Sequence, residues 1–262
     1  VDSFEDSSSS DHTITANGDV ANTQAQSKVG DSSIVFDGTG DYFTIPDSSD
    51  WDFDGDFTIE MWFRAGTIAQ NGMLWSHKDY AGGTDGDGQC QMYLYNDGGT
   101  IAWDVSDGGV YETTSFSNSG LSADTWYHIA FVRSFGNWYK IFLNGVVQTT
   151  NTTDTSFDIS GEDTTVSIGK YNNYPAYYFN GYLDEIRVSK GVARYTADFT
   201  DFGQDGGTIS NPTPFTADSY TKLLIHSNWD GGLGADSSGN GNTFAVTNLV
   251  ATDQMVDSPT NN

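Results

Sequence analysis

The sequence predicts an all-β protein with the architecture of a two-sheet antiparallel jelly-roll sandwich. Helical periodicity is almost absent from the 262 residues, and short runs that alternate apolar and polar residues recur between clusters of Gly, Asp and Asn. Phe, Tyr and Trp make up 14% of the chain, which is enough to build a core between two sheets. About a dozen such runs are typical of two packed sheets.

The predicted strands follow one another along the chain with turn residues between them. They cover residues 11–16, 32–38, 41–47, 57–65, 72–78, 90–97, 100–107, 126–134, 138–146, 164–171 and 181–189. The pairs Asp97-Gly98 and Asn144-Gly145 are favoured in tight hairpins, because such turns need left-handed backbone angles. The turn chemistry therefore supports antiparallel pairing.

Three segments are predicted along the chain. Residues 1–200 form the jelly roll, residues 201–219 a linker and residues 220–262 a C-terminal extension. The linker is rich in Gly and Asn, contains two prolines and has no periodicity. The extension opens with an apolar strand, 221–227, ahead of a stretch that weakly repeats the N-terminus. We expect this strand to complete the sheet of its own molecule, to pair with a neighbouring molecule, or to begin a further copy in a longer chain.

The charge of the chain argues against several kinds of partner. Ten Lys and Arg against 36 Asp and Glu give a net charge of −26, so we expect no nucleic acid binding through a basic surface. No apolar run is long enough to cross a membrane, so no membrane insertion is expected. The single cysteine, Cys90, lies in an alternating run and is predicted to be a packed residue.

Four motifs occur in a fixed order along the chain. They are VFDGTGDYFTIPDSSDWDFDGDFTIEMWFR (35–64), WYHIAFVR (126–133), KIFLNGV (140–146) and FNGYLDEIRVSKGVARYTADFT (179–200). Together they resemble the laminin-G-like, concanavalin A-like jelly-roll domains, and most closely the copies found in tail and head fibres of bacterial viruses. The resemblance implies two curved sheets, ligands met by loops or by the concave face, and often a structural calcium ion.

Two adjacent acids, Asp184 and Glu185, lie in a strand-like apolar run. Neighbours on a strand point to opposite faces, so the pair is not expected to enter one catalytic cleft, which glycoside hydrolysis requires. Glu60 is a lone acid in its strand, without the alternating acids found in hydrolases of related jelly rolls. The chain is therefore predicted not to be an enzyme. In a purely structural role, Glu185 is expected to pair with Arg187 or Arg133.

A calcium site is predicted where the N-terminus meets a late strand. Its ligands would be the carboxylates of Asp6 and Asp184 with backbone carbonyl oxygens near Gly38, because calcium prefers oxygen ligands of this kind. The ion would fix the N-terminus in place and perform no chemistry. The alternative, left open, is that Asp184 caps a turn or accepts bonds from backbone N–H groups.

Aromatic side chains are the candidate ligand contacts. Tyrosine rings stack on the C–H surfaces of sugars and their hydroxyl groups form hydrogen bonds. The candidates are Trp75, Tyr80, Tyr171, Tyr174, Tyr177 and Tyr178. Four of the tyrosines crowd into one stretch, 170–181, with three asparagines. The alternatives are that these residues form a protein interface or pack locally.

These patterns favour a non-enzymatic structural and binding domain from a viral fibre or surface appendage, located on a virion or outside the cell. The predicted partner is a host-surface glycan or a neighbouring virion or appendage protein. Assembly as a homo-oligomer or by donor-strand exchange is a further expectation. An extracellular bacterial carbohydrate-binding or adhesion module is the alternative, and a glycoside hydrolase the distant one.

Overall fold

The computed structural model describes residues 4–77, 89–95, 97–107, 110–117, 120–153, 157–159, 165–172, 176–203 and 206–227. These residues form fifteen strands and one short 3-10 helix, which confirms the all-β prediction. The strands are β1 (Thr15–Asn17), β2 (Ala21–Thr23), β3 (Ser33–Asp37), β4 (Tyr42–Ile45), β5 (Phe57–Ala65), β6 (Gly72–His77), β7 (Gln89–Leu94), β8 (Thr100–Asp107), β9 (Val110–Ser117), β10 (Trp126–Ser134), β11 (Trp138–Leu143), β12 (Val146–Asn151), β13 (Val166–Ile168), β14 (Asn180–Lys190) and β15 (Thr221–Ile225), and the helix spans Ser49–Trp51. No helix in this described part of the chain is long and apolar enough to cross a membrane.

The strands form two antiparallel sheets. The seven-stranded sheet has the order β1-β4-β13-β6-β7-β8-β9. The eight-stranded sheet has the order β12-β11-β10-β5-β14-β3-β2, with β15 also paired to β14. Strands that neighbour each other in a sheet are often far apart in sequence, as β4 and β13 are, which is the pattern of a jelly roll. The predicted two-sheet sandwich is therefore confirmed.

The core lies between the two sheets and is rich in aromatic rings. Alternate residues of β5, namely Ile59, Met61 and Phe63, point inward and are fully buried. Trp103 of β8 lies on Phe131 of β10 with the ring centroids 3.7 Å apart, so the two sheets are joined ring to ring. Burial of this much aromatic surface is the main source of stability in such a fold.

A later part of the chain covers the outer face of the eight-stranded sheet. We call the described residues of 192–215 the covering segment. Phe202 of this segment packs on Trp62 of β5 with ring centroids 5.5 Å apart. Phe202 and Phe215 are both buried, so the stretch 201–219, interpreted from the sequence as a linker, contacts the sheet at these two residues, while most of its other described residues are exposed.

Strand β14 divides one of its edges between two partners. Its first half pairs with β3, where Leu183 lies opposite Ile34. Its second half pairs with β15, where Val188 lies opposite Leu223. In the structure the C-terminal strand pairs within its own chain, as one of the three arrangements left open by the sequence has it.

Candidate functional site

Asp184 lies in β14 where the strand passes from β3 to β15, at a break in its register with β5. Its Oδ2 accepts hydrogen bonds from the backbone N–H groups of Lys28 and Val29, both at 2.9 Å. Its Oδ1 accepts a bond from the hydroxyl group of Ser227. Burial raises the pKa of Asp184 to about 7, although these three bonds act in the opposite direction. The carboxyl group therefore joins three segments of backbone.

Glu185 has a positive φ of 49°, which takes it out of the regular strand conformation. One carboxylate oxygen accepts a bond from the N–H of Phe215 at 2.7 Å, and the other lies 2.7 Å from Nδ1 of His226. Glu185 thus ties the covering segment and the end of β15 to β14. The expected pairing with Arg187 or Arg133 is wrong, because Arg187 binds another glutamate and Arg133 donates to backbone carbonyl groups.

Asp6 binds the N-terminal segment to the last strand. It is only 6% exposed, and its carboxylate accepts four hydrogen bonds of 2.9 Å. The donors are the N–H and hydroxyl groups of Ser8 and the N–H groups of His12 and Leu224. The N–H of Ser7 also donates to the carbonyl of Leu224 at 2.7 Å. The segment around Asp6 therefore lies along the far side of β15.

The structure does not bring Asp6, Gly38 and Asp184 to one point. Leu224 binds Asp6 and Ser227 binds Asp184, so the two carboxyl groups contact residues that are three apart in the chain, and the backbone at these two residues is separated by about 10 Å where it is extended. Gly38 lies in the loop after β3, with a positive φ of 85°. Each of the predicted metal ligands thus has its own surroundings, and the geometry does not support a calcium site made of all three.

Three acids lie close together near Gly38: Asp37 and Asp41 flank it in the sequence, and Asp19 comes from the turn between β1 and β2. One carboxylate oxygen from each of Asp19, Asp37 and Asp41 lies within 4.8 Å of the other two. Asp41 is buried and accepts bonds from the N–H groups of Asp19 at 2.8 Å and Asp37 at 2.9 Å. Burial raises the pKa of Asp41, while those two backbone bonds oppose the rise. Carboxylate oxygens are the donors that calcium prefers, so the residue types at this group fit that ion.

The tyrosine-rich stretch is only partly exposed. Tyr171 is buried, whereas Tyr177 is 39% exposed with a positive φ of 67°, and their ring centroids lie 6.2 Å apart. The ring of Tyr178 lies 6.2 Å from that of Tyr42 on β4. The ammonium group of Lys170 sits 4.3 Å from the centre of the Tyr42 ring. Two further candidates, at positions 80 and 174, lie outside the described residues.

The prediction that Trp75 contacts a ligand is corrected by the structure. Trp75 is fully buried in the core, and its ring meets the ring of Trp51 edge-on with centroids 5.7 Å apart. The register of β6 and β7 shifts between Met73 and Trp75, which marks a β-bulge. Because of this bulge, Leu74 and Trp75 both belong to the core although they are neighbours in sequence.

A polar group that was not predicted from the sequence lies on the outer face of the seven-stranded sheet. Ile101, Trp103 and Val105 of β8 point into the core, so Asp104 points outward. We call the set Gln91, Tyr93, Tyr95, Asp104 and Thr113 the Asp104 group. Asp104 accepts hydrogen bonds from Nε2 of Gln91 at 2.9 Å, from the hydroxyl of Tyr93 at 2.7 Å and from the hydroxyl of Thr113 at 2.7 Å.

The edge of the Asp104 group is exposed and aromatic. Tyr95 is 38% exposed, its ring lies 4.9 Å from that of Tyr93, and the two hydroxyl oxygens are 2.9 Å apart. Thr113 is exposed and also lines a cleft of about 390 Å³ between the edge strands β9 and β12. The rest of this cleft is formed by residues 112–115 and 149–153, mostly threonines. The Asp104 group therefore lies next to an open cleft.

A second buried polar cluster lies on the opposite sheet. Glu60 of β5 accepts two bonds from Arg187, at 2.9 and 2.6 Å, and one from the hydroxyl of Tyr195 at 2.8 Å. Nε2 of His128 lies 3.2 Å from the same carboxylate. Burial alone would raise the pKa of Glu60, but the charge of Arg187 and the contacts with His128 outweigh it and lower the pKa to about 2. The covering segment supplies Tyr195 and closes this cluster from above.

Comparison with known proteins bears on the fold. No curated protein matches this chain. The binding domain of botulinum neurotoxin serotype G aligns with a TM-score of 0.55 at 15% identity, over 75% of this chain and 46% of that one. The binding domain of Paraclostridial Mosquitocidal Protein 1 aligns with a TM-score of 0.52 at 14% identity, over 69% of this chain and 47% of that one.

These alignments establish the fold and leave the function open. The chain spans about half the length of the solved structures it matches. The family described as the concanavalin A-like lectin/glucanases superfamily matches residues 37–194, a stretch that runs from the end of β3 to beyond β14 and includes the Asp104 group. The resemblance noted in the four sequence motifs is thereby confirmed at the level of the family. The chain belongs to the concanavalin A-like lectin/glucanases superfamily.

Proposed function

We propose that this chain is a non-enzymatic carbohydrate-binding domain of an extracellular or virion-surface protein. Its task is attachment to glycans, and the outer face of the seven-stranded sheet is the binding surface. A fibre or similar appendage of a virus is the setting that the sequence motifs favour. A bacterial carbohydrate-binding or adhesion module would use the same surface in the same way.

The difference between the two outer faces carries this proposal. The covering segment fills the outer face of the eight-stranded sheet with its own aromatic rings, such as Phe202 on Trp62. On the outer face of the seven-stranded sheet, Tyr93 and Tyr95 stand beside a carboxylate and an amide. Rings that stack on sugar C–H surfaces next to groups that bind sugar hydroxyls are what carbohydrate recognition needs.

The placement of the acids supports binding without hydrolysis. Hydrolysis of a glycosidic bond needs two carboxyl groups across one cleft. Asp104 points outward from one sheet, whereas Glu60 points outward from the other sheet, beneath the covering segment. Asp184 and Glu185 hold backbone segments together. None of these four acids is placed to share a cleft with another on a sugar.

Two of the matched solved structures are named as binding domains, one of a botulinum neurotoxin and one of a mosquitocidal protein, which agrees with an attachment role. The net charge of −26 favours solubility and discourages non-specific contact with anionic surfaces. A neighbouring protein of the same appendage is the other candidate partner.

A glycan array followed by calorimetry on the best ligand tests the proposal. Tyr95→Ala removes an exposed ring of the Asp104 group and is expected to weaken binding by roughly tenfold. Phe135→Ala is the matched control, because Phe135 is similarly exposed, at 42% against 38%, but lies in the hairpin between β10 and β11. Tyr177→Ala, at 39% exposure, reports whether the tyrosine-rich stretch takes part.

The absence of binding to every glycan on the array would overturn the proposal. Light scattering at several concentrations would then test the protein-interface alternative, because assembly with a second copy changes the measured mass. Equal loss of affinity in Tyr95→Ala and Phe135→Ala would show that the sheet face is not the binding surface.

Calcium remains a prediction, and its position is revised. The acids Asp19, Asp37 and Asp41 would hold the ion, because their oxygens already lie close together. The ion would neutralise part of their mutual repulsion and stabilise the loop after β3. Asp6 is a poorer ligand, because its carboxylate already accepts four hydrogen bonds.

A further inference from the structure

We infer that the Asp104 group selects uncharged glycans that present hydroxyl groups, and rejects glycans that carry carboxylate or sulfate groups. This inference rests on the proposed function and narrows its ligand class. It depends on two buried acceptors on the outer side of the sheet, on the exchange of one hydroxyl group, and on the distribution of basic residues over the two sheets.

The first acceptor is the side-chain carbonyl of Gln91. Asp104 only accepts hydrogen bonds, so the amide nitrogen of Gln91 must face it and the carbonyl oxygen must point away. That oxygen is buried and has no hydrogen-bond partner in the described part of the chain. Gln91 as a whole is 6% exposed, and a buried acceptor without a donor destabilises the unliganded protein. A ligand that donates a hydrogen bond to this oxygen removes the cost of leaving it unpaired.

The second acceptor is the carboxylate of Asp104 itself. Tyr93 donates its hydroxyl hydrogen to Oδ2 of Asp104 at 2.7 Å and so lies over this part of the sheet. A sugar hydroxyl can take the same place on the carboxylate, because it is a donor of the same kind. After this exchange the sugar lies close enough to Gln91 to donate a hydrogen bond to it, and Asp104 accepts as many hydrogen bonds as before. The ring of Tyr93 then turns toward the sugar and stacks on it.

The basic residues explain the rejection of anions. Among the described Lys and Arg residues, Lys170 alone lies beside a strand of the seven-stranded sheet, and its ammonium group is over the ring of Tyr42. The others belong to strands of the eight-stranded sheet or pack on it, as Lys28 does on Trp62 and Arg194 does on Ser189. An anionic group placed beside Asp104 would therefore meet a like charge, with no counter-charge beside it among the described residues.

The experiment compares neutral oligosaccharides with their sialylated and sulfated counterparts on one array, and then by calorimetry at constant ionic strength. Neutral members are expected to bind, and each acidic substitution is expected to weaken binding by about tenfold or more. Preference for the acidic members would overturn the inference while leaving carbohydrate binding intact. No binding to any member would overturn the proposed function itself, so the two failures are distinguishable.

Three near-isosteric variants locate the effect. Gln91→Met removes the unpaired acceptor and is expected to lower the affinity for the glycan about tenfold. The melting temperature of this variant is expected to fall by no more than the loss of one hydrogen bond explains. Tyr93→Phe removes the hydroxyl that competes for Asp104 and is expected to tighten binding. Gln148→Met on β12 makes the same chemical change away from the face and is expected to change nothing. Unchanged affinity in Gln91→Met, or weaker binding in Tyr93→Phe, would refute the inference.

Discussion

Replacing Asp184 by asparagine is expected to make the protein more stable at pH 8 and to leave it nearly unchanged at pH 4. The carboxyl group of Asp184 is buried where three segments meet, and burial raises its pKa from the ordinary value of 3.8 to about 7. The hydroxyl of Ser227 contacts both Asp184 and the carbonyl of Ser32, at 3.2 Å for the latter, and it has one hydrogen to donate. A protonated Asp184 can donate to Ser227, which then donates to Ser32. Asparagine reproduces that arrangement at every pH.

The magnitude follows from the difference between the folded and unfolded pKa values. The folded state holds the proton up to about pH 7, whereas the unfolded chain releases it near 3.8. The favourable contribution of Asp184 is thus complete below pH 3.8 and is lost as the pH rises through 7. Three pKa units correspond to about 4 kcal/mol in the free energy of unfolding. The stability of Asp184→Asn relative to the wild type should therefore rise by about 4 kcal/mol between pH 4 and pH 8.

Urea unfolding at four pH values between 4 and 8, at constant ionic strength, measures this difference. Asp218→Asn is the control, because the hydrogen bond from Arg194 lowers the pKa of Asp218 to about 2, so that this value and the ordinary value of 3.8 both lie below the range tested. Its difference from the wild type should change little with pH, and only near pH 4. A pH-independent difference for Asp184→Asn would refute the reasoning. A difference of the opposite sign would show that the three hydrogen bonds hold Asp184 ionised.

Three further outcomes are expected. Arg187→Met should lower the free energy of unfolding, measured in urea, by roughly 3–5 kcal/mol, because it leaves Glu60 buried without its cation. If the unpaired charge is the cause, the double variant with Glu60→Leu should recover much of the loss. Cys90 should resist iodoacetamide at pH 8 until urea is added, because it is buried and burial raises the pKa of its thiol to about 12; rapid labelling of the native protein would contradict this. Calcium should raise the melting temperature above its value in EDTA, and at a hundredfold excess over the dissociation constant the gain in the free energy of unfolding should be about 2.7 kcal/mol. Asp37→Asn should abolish this rise, whereas Asp6→Asn should keep it. The reverse pattern would show that the ion binds at Asp6.

The central strands could be predicted closely and the edge strands could not. β5 and β10 have the bounds predicted from the sequence, 57–65 and 126–134, because β5 carries apolar residues at every second position from Phe57 to Ala65 and β10 carries them from Tyr127 to Phe131. β2, β9 and β12 were missed. The sequences of β9 and β12, VYETTSFS and VVQTTN, are polar, because each strand forms the edge of its sheet and buries little. Their strand conformation depends on the partner more than on their own pattern.

The candidate site was harder to predict than the fold for two physical reasons. The contact between Gln91 and Asp104 depends on the register of β7 with β8, which alternation alone does not determine. The outward direction of Asp104 could have been inferred, because it stands between Trp103 and Val105. The burial of Trp75 depends on a β-bulge, and a bulge breaks the alternation on which the prediction relied.

The shared edge of β14 has a consequence for how the protein is made. The second half of that edge has no strand partner until β15 is present. The hydrogen bond between Asp6 and Leu224 likewise joins residues 218 positions apart. A chain still growing on the ribosome therefore carries an unsatisfied row of backbone groups until residues 221–225 have emerged. During that interval the nascent polypeptide is open to pairing with other nascent copies, so the rate of translation and the local crowding of ribosomes bear directly on the yield of native protein.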